Sequence, residues 1–375
     1  MSSSQADTLK AYFAAHGAGA NLRPVLTSLN GDNSWLISFP RPPAENVAAA
    51  PAPSKRYFHV VSDPWLSGPS VVLSSWLIWL SLADPPAVRD GAGVEAMARQ
   101  VEDAAAEAAS GGGTGNNRSS VADEEGNHSG TESSSSFPLI NAIFINHHNT
   151  DHMHKETLET FDSRIPVFAT PETADTIRRW RHFDSVTATH TIDPSHRAGS
   201  KGWQQLHPGP PLPPWLSVFR VPGHRDLNFG IVIMWSPDES THEALLYMPH
   251  GMLADQPSVQ ALLDTETAEA VPPFTVLAML YPLKENFAWG VQTTLGGAGA
   301  LALDELARPR YWVRTHDSQF LYKGLIMLGV WDVFKSLDEI MDEAAEGKES
   351  DTNGNVPRRK PNPVKVDNGG CIVLQ

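Results

Sequence analysis

The chain has 375 residues, 41% of them hydrophobic, enough for one large core or two ordinary ones. Its 43 acidic against 28 basic residues give a formal net charge of −15, which excludes nucleic acid as a natural partner, since that binding depends on Lys and Arg neutralising phosphates. A single cysteine, Cys371, excludes an internal disulfide and a cysteine-rich zinc ribbon, and fits a reducing, cytoplasmic setting.

Residues 1–20 lack the basic start and apolar core of a secretory signal and read as a flexible N-terminus with a short helix. Apolar runs at 22–29, 35–39 and 57–61 read as strands, and Asn30-Gly31-Asp32-Asn33 between the first two has hairpin composition. The most apolar stretch, 71–80, is shorter than the roughly 20 residues a membrane span needs and reads as a buried strand or helix. Residues 94–109, rich in Ala, Glu and Met, read as a helix. From about 110 to 136 the composition turns to Gly, Ser and acid, which cannot bury enough surface to offset its ordering entropy and reads as a disordered insertion.

The central stretch runs from Leu139 to Thr157. An apolar strand, 139–145, gives way to His147, His148, Asp151, His152 and His154 at a strand-to-helix handover. Imidazole and carboxylate together are the ligand set of zinc, and also of iron and manganese. Beyond it, strands are expected at 165–169, 186–192, 216–221, 229–235, 244–248, 274–280 and 311–314. Helices are expected at 171–181, 258–268, up to 307, and 334–345. Residues 347–375 read as a disordered polar tail, leaving 21–346 as a single domain. Within it the strands form two series with helices between, a layered α/β arrangement.

Three distant histidines fall at strand ends. His224 follows the run ending at Val221, His250 follows the one ending at Met248, and His316 follows the one ending at Arg314. Asp63 similarly follows Val61. Strand ends on one sheet edge converge in space, so these side chains can share a cavity.

This order resembles the metallo-β-lactamase fold superfamily. The matching residues are a degenerate HxHxDH motif (His147-His148-Asn149-Thr150-Asp151-His152), the Pro222-Gly223-His224 turn, His250 in the place of a later Asp, and a final His316. The turn Asp63-Pro64-Trp65-Leu66 and the spacing look most like the lactonase and phosphodiesterase branch. The resemblance implies an αββα four-layer sandwich of two mixed β-sheets flanked by helices. It implies metal ligands among His147, Asp151, His152, His224, His250 and His316, with Asp151 also orienting water and receiving a proton. Asn149 stands where the family has a second His, so the first position (His147, Asn149, His224) should be weak. Asp151, His152 and His316, with His250 added, should hold one zinc rather than two, with iron or manganese as substitutes.

The expected activity is metal-dependent hydrolysis of a small-molecule ester, lactone, thioester or phosphodiester. The alternatives are a catalytically degenerate binding or scaffold protein and an iron-dependent oxidoreductase. The tail resembles a prenylation signal, with basic Arg358-Arg359-Lys360 upstream, but Cys371 is fifth from the end where the signal has it fourth. Membrane attachment through Cys371 would therefore depart from that signal.

Overall fold

The computed structural model describes residues 4–16, 22–43, 55–110, 137–194, 202–263, 274–346 and 360–375. Two seven-stranded mixed sheets pack face to face. In the first, Cys371–Val373, Val25–Ser28, Trp35–Pro40 and Tyr57–Ser62 pair antiparallel in that order. Ile140–Ile145, Val167–Ala169 and Val186–Ala188 then add in parallel. In the second, Pro363–Val364, Tyr311–Val313, Thr275–Leu280 and Glu243–Tyr247 run parallel. Gly230–Trp235 and Leu216–Val221 follow antiparallel, and His190–Thr191 closes the sheet in parallel.

Three clusters of buried side chains define the layers. Between the sheets, Leu26, Trp35, Ile37 and Phe144 of the first meet Leu216, Val218, Ile231 and Leu280 of the second. The outer face of the first sheet packs on the helices Gly91–Ala109 and Pro171–Trp180. The outer face of the second packs on Pro257–Leu263, Gly296–Ala307 and Leu337–Glu346. This is the four-layer αββα sandwich that the resemblance implied. The strands are apolar on both faces because both faces are covered. The helix Gly91–Ala109 buries Val94, Ala98, Val101 and Ala105, one helical stripe, and the Asp90 side chain caps its start by accepting from the Gly93 amide at 2.8 Å.

Several expectations change. The N-terminal segment contains the helix Gln5–His16, whose Leu9, Tyr12 and Phe13 are buried against Val101, Ala105 and Val373, so its described part is packed. Residues 360–375 are not a loose tail either. Pro363–Val364 extends one sheet and Cys371–Val373 the other, so the segment straps the sandwich at one edge, with Leu374 fully buried. Between the two strands lie the polar residues Lys365, Asp367 and Asn368, and most of the rest of the polar composition precedes Pro363. Cys371 pairs with Thr27 inside this strap, and burial pushes its thiol up to about 12.

The stretch 71–80 is a surface hairpin, Ser70–Val72 and Ile78–Leu82, with Leu73 and Trp76 exposed at its turn. Strands also follow Tyr311–Val313, at Phe320–Lys323 and Val330–Val333. They complete two small three-stranded sheets with that hairpin and with Glu285–Ala288 and Val291–Leu295. The insertion expected at about 110–136, apart from Ser110, and the part of the expected tail at 347–359 lie outside the described residues.

Truncating the chain after Asn368 should remove the edge strand and the buried Leu374, lowering unfolding stability by about 2–4 kcal/mol in a urea titration. An unchanged midpoint would mean that the strap contributes nothing.

Candidate metal centre

In each sheet, parallel strands end at one edge, and the two edges meet. Asp63 and Asn146 follow the neighbouring strands Tyr57–Ser62 and Ile140–Ile145 of the first sheet. His250 and His316 follow Glu243–Tyr247 and Tyr311–Val313 of the second. The hairpin turn at 30–33 lies against them, and although it is a turn, Asn30, Asp32 and Asn33 are buried.

Three imidazoles converge there. The rings of His152, His250 and His316 lie 4.9–5.2 Å apart between centroids. One nitrogen from each falls within 4.8 Å of the other two, and all three residues are buried. Each outer nitrogen has a defined partner. His152 Nδ1 donates to Asp63 Oδ2 at 2.7 Å, and His316 Nδ1 donates to Asp32 Oδ2 at 2.8 Å. With those protons fixed outward, the Nε2 lone pairs face the centre. His250 Nδ1 lies 3.4 Å from Thr294 Oγ1, and its Nε2 faces His152 Nε2 at 3.1 Å. Asp151 Oδ2 is 3.7 Å from His152 Nε2 and 3.9 Å from His316 Nε2.

Two imidazole nitrogens on one tetrahedral zinc, at about 2.0–2.1 Å each, lie roughly 3.3 Å apart. The 3.1 Å approach of two Nε2 atoms is close to that edge. The donor set therefore fits a divalent cation held by three imidazoles and one carboxylate.

The carboxylates behind the ring are themselves satisfied. Asp63 also accepts from the Asn146 amide at 2.7 Å and from the Tyr247 hydroxyl at 2.9 Å. Asp32 accepts from the Ser318 amide at 2.9 Å. Burial opposes the Asp32 charge, but the His316 imidazole, Lys284 and the Ser318 amide together outweigh it and hold the carboxyl down to about 2. Asp63 and His316 both take left-handed backbone angles, φ 46° and 57°, which non-glycine residues adopt rarely. The amide of His316 is held there by the Asp32 carbonyl at 3.1 Å. Strain of this kind persists only where surrounding bonds fix it.

Electrostatics divide the imidazoles. Burial opposes charge on His152, but Asp151 and Asp63 outweigh it and raise its pKa above the ordinary value. Burial, with His316, His147 and His152 as neighbours, holds His250 well below it. Burial also depresses His147, helped by His152 and His148, and likewise His59 beneath the helix Gly91–Ala109.

The structure brings together Asp151, His152, His250 and His316 of the six expected ligands. His147 stands beside them, its ring 5.0 Å from that of His250, but its nitrogens are occupied: Nδ1 accepts from the Asn149 amide at 3.0 Å and Nε2 donates to the Asp226 carbonyl at 3.3 Å. His224 is not brought to the cluster; the charged groups that bear on it are Arg225 and Asp255. Its turn has a physical reason nonetheless, since a Cβ on Gly223 would run into the Asn228 carbonyl. The position expected to be weak, His147–Asn149–His224, is thus not assembled.

His148, left out of the site, stacks on His147 at 4.5 Å with its own face exposed. His154 is buried and caps the turn Lys155–Leu158 by accepting from the Thr157 amide. Asp32, Asn33 and Tyr247 escaped the sequence reading. Nothing marks a carboxylate in a hairpin turn or a tyrosine inside an apolar strand as facing a histidine far along the chain.

A cleft of about 280 Å³ opens on Asp151, His250 and His316. Its walls come from the two small sheets, with Val72, Ile78 and Leu80 on one side and Ala288 and Val330 on the other.

No protein-family model matches the sequence, and no curated protein resembles it significantly. The chain is similar in structure to an isothiocyanate hydrolase from Delia radicum gut bacteria (10% identity, 93% of this chain and 99% of that one, TM-score 0.47). It is also similar to a protein described as a possible metal-dependent hydrolase from Veillonella parvula (7%, 94% and 100%, 0.47). A third is a metallo hydrolase from the archaeon Ignicoccus hospitalis (10%, 94% and 98%, 0.40).

Asp63→Ala should weaken zinc binding about 10- to 100-fold in a competitive chelator titration, because His152 loses the acceptor that orients it. Wild-type affinity would show the carboxylate to be dispensable. The metal-free protein should also be less stable in acid. His59, His147 and His250 have depressed folded pKa values, so the stability they contribute is present above about pH 6.5 and lost as pH falls from there. His154, His224 and His242 are shifted the same way, and among the described histidines His152 is shifted in the opposite sense, so the urea midpoint should fall between pH 7 and 5; an unchanged midpoint would contradict this.

Proposed function

We propose that this chain is a metal-dependent hydrolase that carries one cation, held by His152, His250, His316 and Asp151. The observation that carries the reading is the facing pair of Nε2 atoms on His152 and His250, with His316 completing the triad and carboxylates behind two of its three rings. A bound zinc, iron or manganese would supply Lewis acidity and bring the pKa of a coordinated water toward neutrality.

The chain's own groups do the rest. Asp63 and Asp32 keep His152 and His316 in one tautomer and one orientation, so neither ring must reorganise during the reaction. Asp151 lines the cleft with one oxygen near both rings, placed to take a proton from attacking water and return it to the leaving oxygen or sulfur. The substrate is an ester, lactone, thioester or phosphodiester whose scissile bond reaches the base of the cleft. The small sheets limit the approach of bulk water from either side.

Metal analysis of protein purified without chelator should find about one zinc, iron or manganese per chain. His152→Ala, His250→Ala and His316→Ala should each abolish it, while His224→Ala should leave it unchanged. Asp151→Asn should lower hydrolysis by about 10²- to 10⁴-fold. Metal-free protein after gentle purification, refusing added zinc, would leave a binding or scaffold role. A visible absorption band with bound iron would favour an oxidoreductase.

A further inference from the structure

The cleft is flanked by an apolar rim with an unusual degree of exposure. Leu73 is 85% exposed, Leu328 79%, and Trp76 and Trp289 67% each. They sit on three separate tips: the hairpin turn 73–77, the turn 289–290, and the segment 325–329. Backbone bonds tie these tips into one surface. The Leu325 amide donates to the Trp76 carbonyl at 2.9 Å, the Ile326 amide to the Leu77 carbonyl at 3.1 Å, and the Trp289 amide to the Gly329 carbonyl at 2.7 Å. Gly329 is required there because a Cβ would strike the Trp289 ring. None of the three tips carries a charged side chain.

The rim is continuous with the cleft. Val72 and Ile78, which flank the first tip, Met327 of the third and Val330 just beyond it line the cavity that opens on His250 and His316. Among the described residues Lys284 is the one Lys or Arg in that lining, and it is committed: its Nζ donates to the Ser318 carbonyl at 2.9 Å and lies 3.9 Å over the Phe320 ring. Recognition of a phosphate calls for Arg or Lys groups free to donate to it, and the cleft offers none uncommitted. Aromatic and aliphatic side chains held at 67–85% exposure beside a cavity mark a ligand-binding surface more readily than a bare one.

We infer that the cleft takes an uncharged substrate bearing a flexible apolar chain, which leaves the histidine cluster between the two small sheets and lies across the rim. This rests on the hydrolase reading and narrows it: carboxylic esters, lactones or thioesters of an apolar acyl group are accepted, and phosphodiesters are not.

The test separates binding from turnover. The metal-free protein is titrated calorimetrically with 1-hexanol, 1-octanol and 1-decanol, and with decyl phosphate. The metal-loaded protein is assayed on p-nitrophenyl acetate, octanoate and decanoate, and on bis-p-nitrophenyl phosphate. Affinity for the alcohols should rise about threefold per methylene, and decyl phosphate should bind more weakly than decanol. Ala288→Trp, which fills the cleft, should abolish the binding, and Leu73→Ser with Leu328→Ser should flatten its dependence on chain length. Chain-length-dependent binding supports the inference even if no ester is cleaved, a result that would sink the hydrolase reading alone. Ester cleavage without chain-length dependence, or tighter binding of decyl phosphate, overturns the inference and leaves hydrolysis standing. If the rim variants change the mass of the protein in solution and not the alcohol series, the rim is a subunit interface and the inference fails.

Discussion

Two buried hydrogen bonds organise this molecule, Asp63 to His152 and Asp32 to His316. Each joins residues far apart in sequence, and each sets a carboxylate inside a protein with no exposed surface to solvate it. A buried charge of that kind is tolerable only when its oxygens are met by donors, and here they are, by backbone amides, a tyrosine hydroxyl and the imidazoles themselves. The consequence is directional. With both Nδ1 protons turned outward, the inner nitrogens have no option but to face one another, and like groups in that arrangement are most simply reconciled by a shared cation.

The same bonds explain why the sandwich has the edges it has. The first sheet supplies Asp63 and, through its hairpin turn, Asp32; the second supplies His250 and His316. The Tyr247 hydroxyl donates across the gap within 2.7 Å of the Asn33 carbonyl and 2.9 Å of Asp63, and the Trp35 indole donates to Thr315 at 3.0 Å. Neither sheet holds the centre alone. The apolar core between the sheets fixes their separation, and the polar edge converts that separation into a ligand geometry. The C-terminal strap, adding a strand to each sheet, fastens the pair at their shared border.

Much of this is legible in the sequence because strand periodicity, strand-end polarity and motif order are local properties. The apolar runs fall where strands form, His224, His250 and His316 follow strand ends as expected, and His152 lies in the handover from strand to helix. What is not legible is whatever depends on a partner distant in the chain. Asp32 reads as a turn residue because turns favour aspartate, and only the fold makes it a neighbour of His316. His147 matches a ligand position in the motif, yet the Asn149 amide and the Asp226 carbonyl claim both its nitrogens. The segment at 71–80 misleads for the opposite reason. Its apolarity is real, but it serves a surface beside the cleft and not the core, and hydrophobic pattern alone does not distinguish the two.

The central claim is that one cation sits among His152, His250 and His316. A crystal of the protein grown with zinc, measured on both sides of the zinc absorption edge, tests it most directly. The account predicts one strong anomalous peak per chain within bonding distance of all three Nε2 atoms and Asp151. A peak placed instead between His147 and His224, or none near the triad at full zinc occupancy elsewhere, would contradict it.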